Sequence, residues 1–215
     1  MTQLFQICLY IILSITFLTT NGVAQGTSAA HRHMGHVADG FRGTPDGMGL
    51  LPTAIAEAEV AASHASYAAN DLTDLAAMQR HAAHVLHALQ GGDGGPGLGY
   101  GLKNAAEGVV AHIEMAGAGE EASQGITTHS NHVATSSRNT LKRADMIIDH
   151  ISKIQDADSA DEAGKLTAEV AELAEQLFAG SDSNGDGRIG WQENEGGLQQ
   201  AEQHMNIMKR GEGLP

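Results

Sequence analysis

Apolar residues recur at helical spacing along most of the chain, and this pattern predicts four consecutive helices. In residues 71–89 the apolar positions fall on one helical face. Residues 123–155 repeat an apolar or Thr position every seven residues, a spacing typical of a helix seam. Two further helices are predicted over residues 52–69 and 102–116. Four helices joined by short or glycine-rich connections favour an all-α fold built on a four-helix bundle.

The remaining regions divide the chain further. Residues 25–50 are polar and contain glycine, which predicts an irregular arm carrying histidines. Residues 51–156 are the predicted His-bearing bundle, in which the glycine-rich residues 91–101 form a loop. Residues 157–210 are predicted as a C-terminal module that begins with a helical pattern over residues 161–179.

The C-terminal module contains a loop, residues 182–193, with oxygen-bearing side chains at alternate positions. Asp182, Asn184 and Asp186 stand at loop positions 1, 3 and 5, where a calcium loop supplies its side-chain oxygens. Gly187 at position 6 allows the sharp bend that a Cβ would obstruct. The loop resembles the calcium loop of an EF-hand, which implies that it binds Ca²⁺. The other implied ligands are the carbonyl of Arg188, a water at Gly190 and two oxygens of Glu193.

The sequence departs from the EF-hand pattern after this loop. Gly196 and Gly197 fall where the second helix should run, and glycine lowers helix stability. The acidic residues 156–167 lack the glycine and the final glutamate of a second loop. A single EF-hand therefore predicts a structural calcium site of modest affinity, and a homodimer formed through the unpaired loop.

Charge and the N-terminus indicate the compartment and exclude several partners. The net charge of −14 argues against nucleic acid, which needs a basic face. Residues 1–24 combine a long apolar run with small residues, as in a signal peptide, and predict a periplasmic or secreted protein. Cleavage would leave no membrane insertion, whereas an uncleaved segment would be an anchor. The only cysteine, Cys8, lies in this segment, which excludes disulfides, Cys-ligated zinc, iron–sulfur clusters and covalent haem from the mature chain.

The twelve histidines are the most unusual feature of the composition. Histidines three apart on a helix can share a cation, and neutral imidazole suits zinc and copper. The alternation of Ala and His in residues 54–155 resembles that of small His-rich helical metal-binding proteins exported by bacteria, and implies a transition-metal site such as Zn²⁺ or Cu²⁺. The candidate ligands are His64, His81, His84, His87, His112, His129 and His132.

Three interpretations stay open. The first is an exported EF-hand protein that binds Ca²⁺ and whose bundle also binds a transition metal for storage, buffering or handling. The second is a calcium-stabilised interaction module without a transition metal. The third is a redox bundle with haem held non-covalently, for example between His64 or His81 and His129. No Ser-His-Asp order or di-iron Glu-x-x-His spacing is found, so the protein is predicted not to be an enzyme; His150 and His204 are interpreted as ordinary polar residues.

Overall fold

The computed structural model describes residues 28–215, in which seven α-helices form the fold and no β-strand occurs. The all-α prediction is confirmed. None of these helices is long and apolar enough to cross a membrane. The signal-peptide prediction for residues 1–24, with Cys8, lies outside the described residues. The helices are α1 (Ala29–Ala38), α2 (Leu50–Ala69), α3 (Leu75–Gln90), α4 (Leu102–Gly117), α5 (Gln124–Asp156), α6 (Ala160–Ala179) and α7 (Leu198–Gly211).

Helices α2 to α5 correspond to the four predicted from the apolar pattern, and the largest difference is at the start of α3. The predicted helix begins near Asp71, but Asp71 accepts a hydrogen bond from the Thr73 N–H at 2.9 Å, within a turn. Asp74 is the residue that caps the helix, since its carboxylate accepts the Ala77 N–H at 2.9 Å.

Helix α1 lies within residues 25–50, where the sequence predicts an irregular arm. The Ser28 hydroxyl accepts the His31 N–H at 3.1 Å and so caps the helix. One face of α1 is fully buried and packs against α4 and α2. This burial stabilises a helix of ten residues that would be marginal in isolation. The buried residues are Ala30, Met34 and Val37.

Helix α5 is the centre of the molecule. Its 33 residues make it the longest helix, about 50 Å from end to end. It packs against α3, α4, α6 and α7, and α6 also packs against α2. One continuous cluster of buried side chains, many of them alanine, includes residues from all seven helices. The bundle thus contains more helices than the four predicted, and the first and last helices of residues 28–215 share its core.

A buried glutamate attaches the glycine-rich loop to α2. Glu57 is fully buried, and its carboxylate accepts three backbone N–H groups from the loop. The donors are Leu98 at 3.2 Å, Tyr100 at 3.1 Å and Gly101 at 2.9 Å. A buried carboxylate needs such donors to offset the loss of hydration.

Candidate metal centres

Three clusters of histidine could each hold a metal ion. In each cluster three ring nitrogens lie within 4.8 Å of one another, and every imidazole is half-buried. Two members come from a His-x-x-His pair on one helix, and we call them the first and second histidine; the opposing histidine comes from another helix. Site 1 is His33, His36 and His112; site 2 is His81, His84 and His64; site 3 is His129, His132 and His204.

Each site joins a different pair of helices. Site 1 lies between α1 and α4, site 2 between α3 and α2, and site 3 between α5 and α7. No helix contributes to two sites, and only α6 contributes to none. The same arrangement is therefore built three times from separate parts of the fold.

The nitrogen positions are nearly the same in the three sites. The Nδ1 atoms of the first and opposing histidines are 2.9 Å apart in site 1, 3.1 Å in site 2 and 2.9 Å in site 3. Those of the second and opposing histidines are 3.4, 3.3 and 3.4 Å apart. In all three sites, Nδ1 of both paired histidines converges on Nδ1 of the opposing one.

The ring orientations also agree. The planes of the first and opposing imidazoles meet at 35°, 29° and 27° in sites 1, 2 and 3. The second and opposing imidazoles meet at 82°, 75° and 68°, and the paired imidazoles at 89°, 84° and 85°. The three sites thus share one geometry.

A short sequence pattern explains this repetition. Each pair is followed directly by valine, so that His-x-x-His-Val occurs at all three sites. The valine lies four positions after the first histidine, on the same helical face, and its burial sets that face against the opposing helix. Each opposing histidine also has a buried residue three positions before it and one position after it. The buried valines of sites 1, 2 and 3 are Val37, Val85 and Val133. The buried neighbours of the opposing histidine are Val109 and Ile113 in site 1, Ala61 and Ala65 in site 2, and Ala201 and Met205 in site 3.

The spacing suits a metal ion. Zinc bound by imidazole has Zn–N distances of about 2.0–2.1 Å, which at tetrahedral angles separates two ligand nitrogens by about 3.3 Å. The observed Nδ1 separations are 3.3–3.4 Å between the second and opposing histidines, at that value, and 2.9–3.1 Å between the first and opposing histidines, slightly below it. Three imidazoles leave a fourth tetrahedral position open for water or another ligand.

The electrostatics favour the neutral imidazole, which is the form that binds metal. Burial lowers the pKa of six of the nine histidines, and nearby positive charge from another imidazole or an arginine lowers it further. The effect is largest at the opposing histidine of site 3, where burial and then His132 and His129 lower the pKa of His204 to about 4. The others with a lowered pKa are His33, His64, His81, His112 and His132.

Aromatic rings, and not carboxylates, contact these imidazoles. Phe41 lies against His36 and His112, Tyr67 lies against two imidazoles of site 2, and Trp191 stacks on His132. Within residues 28–215, no carboxylate forms a hydrogen bond or ion pair with an imidazole of the three sites. Metal-binding histidines usually donate their other N–H to such a partner, which strengthens binding.

Six of the seven predicted histidine ligands lie in these sites, and His87 does not. Its Nδ1–H donates to the Pro96 carbonyl at 2.8 Å, and its Nε2 accepts the Gly95 N–H at 3.2 Å. Both nitrogens are therefore engaged with the glycine-rich loop. His87 comes three residues after His84 in α3, but it lies on the side of the helix that faces the glycine-rich loop.

Three histidines in the sites were not among the predicted ligands: His33, His36 and His204. The first two have the His-x-x-His-Val pattern, which would have identified them had residues 25–50 been predicted as helical. His204 is 72 positions from His132 and belongs to no pair, so no local pattern marks it. Only the packing of α7 against α5 brings it to site 3.

The 182–193 loop has a turn structure in which carboxylates accept backbone N–H groups. Asp182 accepts from Gly185 at 2.8 Å, Asp186 at 3.1 Å and Gly187 at 2.9 Å. Helix α6 ends at Ala179, before the loop, but α7 begins only at Leu198. The predicted second helix is therefore delayed beyond the two glycines.

Two glutamates near the end of this loop, Glu193 and Glu195, differ in burial and in the groups that they contact. Glu193, the predicted twelfth-position ligand, pairs with Lys142 at 2.7 Å and is exposed. Glu195 is buried; its carboxylate accepts the Gly190 N–H at 3.0 Å and the Asn184 side-chain amide. Glu195 is thus the carboxylate that contacts the loop here, and the calcium site stays a prediction. The backbone N–H of Arg188, another residue of the predicted ligand set, donates to Asp186 at 2.9 Å.

Comparison with protein-family models, curated proteins and solved structures gives no match to this chain. The function proposed below is therefore derived from the chain's own residues.

Proposed function

We propose that this is an exported metal-binding protein that holds a transition metal at sites 1, 2 and 3 and Ca²⁺ in the 182–193 loop. Its proposed role is the storage, buffering or handling of the transition metal. The observation that carries the proposal is the shared geometry of the three sites. Histidines that serve only as polar surface residues have no reason to converge through the same ring nitrogen at three separate helix pairs.

Zinc is the metal that we propose first, with Cu²⁺ as the second choice. Zinc accepts three imidazoles and an open fourth position without a geometric preference of its own. Copper(II) also binds imidazole strongly, but it favours square-planar or tetragonal ligand sets. The nitrogen separations of 2.9–3.4 Å accommodate both geometries, because ligand angles of about 90° and about 109° at about 2.05 Å give separations of about 2.9 and about 3.3 Å.

The surroundings of the sites support exchange of the metal. The imidazoles are half-buried, so solvent and competing ligands reach them. They also lack carboxylate partners, whose removal typically lowers metal affinity 10–100-fold in other sites. These features are those of a protein that takes up and releases several ions, and they differ from those of one enclosed structural zinc.

Metal stoichiometry tests the proposal. Metal-free protein is dialysed against Zn²⁺ or Cu²⁺ at neutral pH in the presence of calcium, and bound metal is measured by elemental analysis. We expect about three equivalents of transition metal per chain, largely released near pH 5 as protons compete for imidazole. Less than one equivalent, or binding that survives replacement of all three opposing histidines, would contradict the proposal.

Calcium binding is a separate part of the proposal. The loop sequence and the turn formed around Asp182 support it. If the loop binds Ca²⁺ but the protein binds no transition metal, the second interpretation, a calcium-stabilised interaction module, is favoured. Calcium would then raise the melting temperature of the protein, whereas added zinc would leave it unchanged.

The haem interpretation gains no support from the arrangement of the histidines. His64 and His81 lie together in site 2, whereas His129 lies in site 3, so the predicted axial pairs belong to separate clusters. Within one site the nitrogens are 2.9–3.4 Å apart, which leaves no room for a porphyrin between them. The absence of a Soret shift after incubation with haem would dismiss this interpretation.

A further inference from the structure

Site 3 differs from the other two sites in the aromatic ring that contacts it. Trp191 stacks face to face on His132, with ring centroids 3.8 Å apart and an angle of 17° between the planes. Phe41 in site 1 and Tyr67 in site 2 contact imidazoles at centroid distances of 5.1–5.6 Å and interplanar angles of 59–86°. The Trp191 ring therefore lies over a face of the His132 imidazole, which restrains rotation of that imidazole.

The segment that carries Trp191 is fastened to α5 by a buried asparagine. The Asn139 side-chain amide donates to the Gln192 carbonyl at 2.8 Å, and its oxygen accepts the Asn194 N–H at 2.9 Å. Asn139 lies seven positions after His132 on the same helix, about two turns further along. Helix α5 therefore holds both the ligand and the segment that supplies its stacking ring.

A buried arginine provides a second attachment. Arg143 lies one further turn along α5, and its guanidinium donates to three consecutive backbone carbonyls of the same segment. Because these bonds are made with backbone, they fix the path of the chain after Trp191 independently of the side chains there. The acceptors are the carbonyls of Asn194 at 2.9 Å, Glu195 at 2.6 Å and Gly196 at 2.9 Å.

We propose that Trp191 is a positioning residue for site 3, and that site 3 is the first of the three sites to fill with metal. The stack holds the His132 imidazole with its Nδ1 atom 3.4 Å from that of His204 before the ion arrives. A ligand that is already oriented loses less rotational freedom on binding, which raises affinity. This inference rests on the proposed function, because it concerns the order in which the same sites bind their metal.

The size of the effect follows from the strength of aromatic stacking. Stacked pairs in proteins contribute enough beyond their buried area to change an equilibrium about threefold to tenfold. We therefore expect site 3 to bind zinc about threefold to tenfold more tightly than it would without the stack.

Fluorescence provides a direct test, because Trp191 is the only tryptophan of the chain. Metal-free full-length protein is titrated with Zn²⁺ while tryptophan emission is recorded. We expect about half to two thirds of the emission change within the first equivalent, against about one third for three equal sites, and His204→Ala to abolish this early change. An emission change spread evenly over the three equivalents, or confined to the last, would overturn the filling order. If no zinc bound at all, the proposed function itself would fail.

Substitution of the ring tests its role as a positioning residue. In a competition assay with a coloured zinc chelator, Trp191→Leu should weaken one of the three sites about threefold to tenfold and leave the stoichiometry unchanged. Trp191→Phe should restore most of the affinity, since it keeps an aromatic face. The matched control Tyr100→Leu, at a half-buried ring that makes no ring contact with an imidazole of the three sites, should change no affinity by more than about twofold. Unaltered affinities in Trp191→Leu, or equal losses in Tyr100→Leu, would refute the assignment.

Discussion

Removal of one opposing histidine at a time should remove one metal site at a time. The three variants are His112→Ala for site 1, His64→Ala for site 2 and His204→Ala for site 3. The opposing histidine is the useful target because both paired imidazoles converge on it, at Nδ1 separations of 2.9–3.4 Å. Each variant leaves the other two sites intact, since no residue or helix is shared between sites.

The expected magnitude follows from mass action. A metal that binds only the folded chain, at a free concentration one hundred times its dissociation constant, stabilises by about 2.7 kcal/mol per site. Three independent sites would therefore contribute about 8 kcal/mol in total. For a chain of this size, about 2.7 kcal/mol corresponds to a shift in melting temperature of about 5–11 °C.

The assay is thermal unfolding of the wild type and of each variant, with zinc and without it. Each variant should lose about one third of the zinc-dependent rise in melting temperature, and the triple variant should lose all of it. His87→Ala is the matched control: it removes a histidine from α3 that touches the glycine-rich loop and no metal site. It should lower stability equally with and without zinc.

Two results would refute this reasoning. The first is a zinc-dependent rise that persists unchanged in the triple variant, which would place the bound zinc elsewhere. The second is loss of the whole rise in any one variant, which would show that the three clusters form a single cooperative site and not three separate ones.

Three further predictions concern protonation, the glycine-rich loop and calcium. The pKa of His204 is lowered to about 4 in the folded protein, so the unfolded chain binds a proton at this residue more readily. Metal-free protein should therefore lose stability as pH falls from about 6.5 toward about 4. Denaturant midpoints that stay constant over this range would contradict this prediction. Glu57→Gln should lower the free energy of unfolding by about 1–3 kcal/mol, because a buried carboxylate accepting three N–H groups is replaced by an amide; the exposed Glu59→Gln should have little effect in the same urea titration. Glu195→Gln should weaken calcium binding more than Glu193→Gln, because Glu195 already contacts the loop while Glu193 is paired with Lys142. Calorimetry that shows the reverse order would favour Glu193, the twelfth-position ligand implied by the EF-hand resemblance.

The long helices could be predicted from sequence because their apolar faces are strongly periodic. Helix α5 was predicted over residues 123–155 and observed over Gln124–Asp156, since its seam repeats over many turns. Helix α1 was not predicted. Its stabilisation comes from burial of Ala30, Met34 and Val37 against other helices, and ten residues are too few to show a clear period.

The candidate sites could be predicted only in part for a similar reason. A His-x-x-His pair is a local signal, so His81 with His84, and His129 with His132, were found. The opposing histidines are single residues whose partners lie elsewhere in the sequence, and their grouping depends on which helices pack together. His204 joins site 3 only because α7 packs against α5. His87 shows the converse: its spacing fits a ligand, but the glycine-rich loop takes up both of its ring nitrogens.

The most direct measurement of the central claim is a crystal structure of the zinc-loaded protein with anomalous data collected on both sides of the zinc absorption edge. We expect one anomalous peak in each of the three sites, bound by three Nδ1 atoms at about 2.0–2.1 Å and by a fourth, non-histidine ligand. Zinc peaks located away from the three sites, or bound through Nε2 atoms in a different arrangement, would contradict the account.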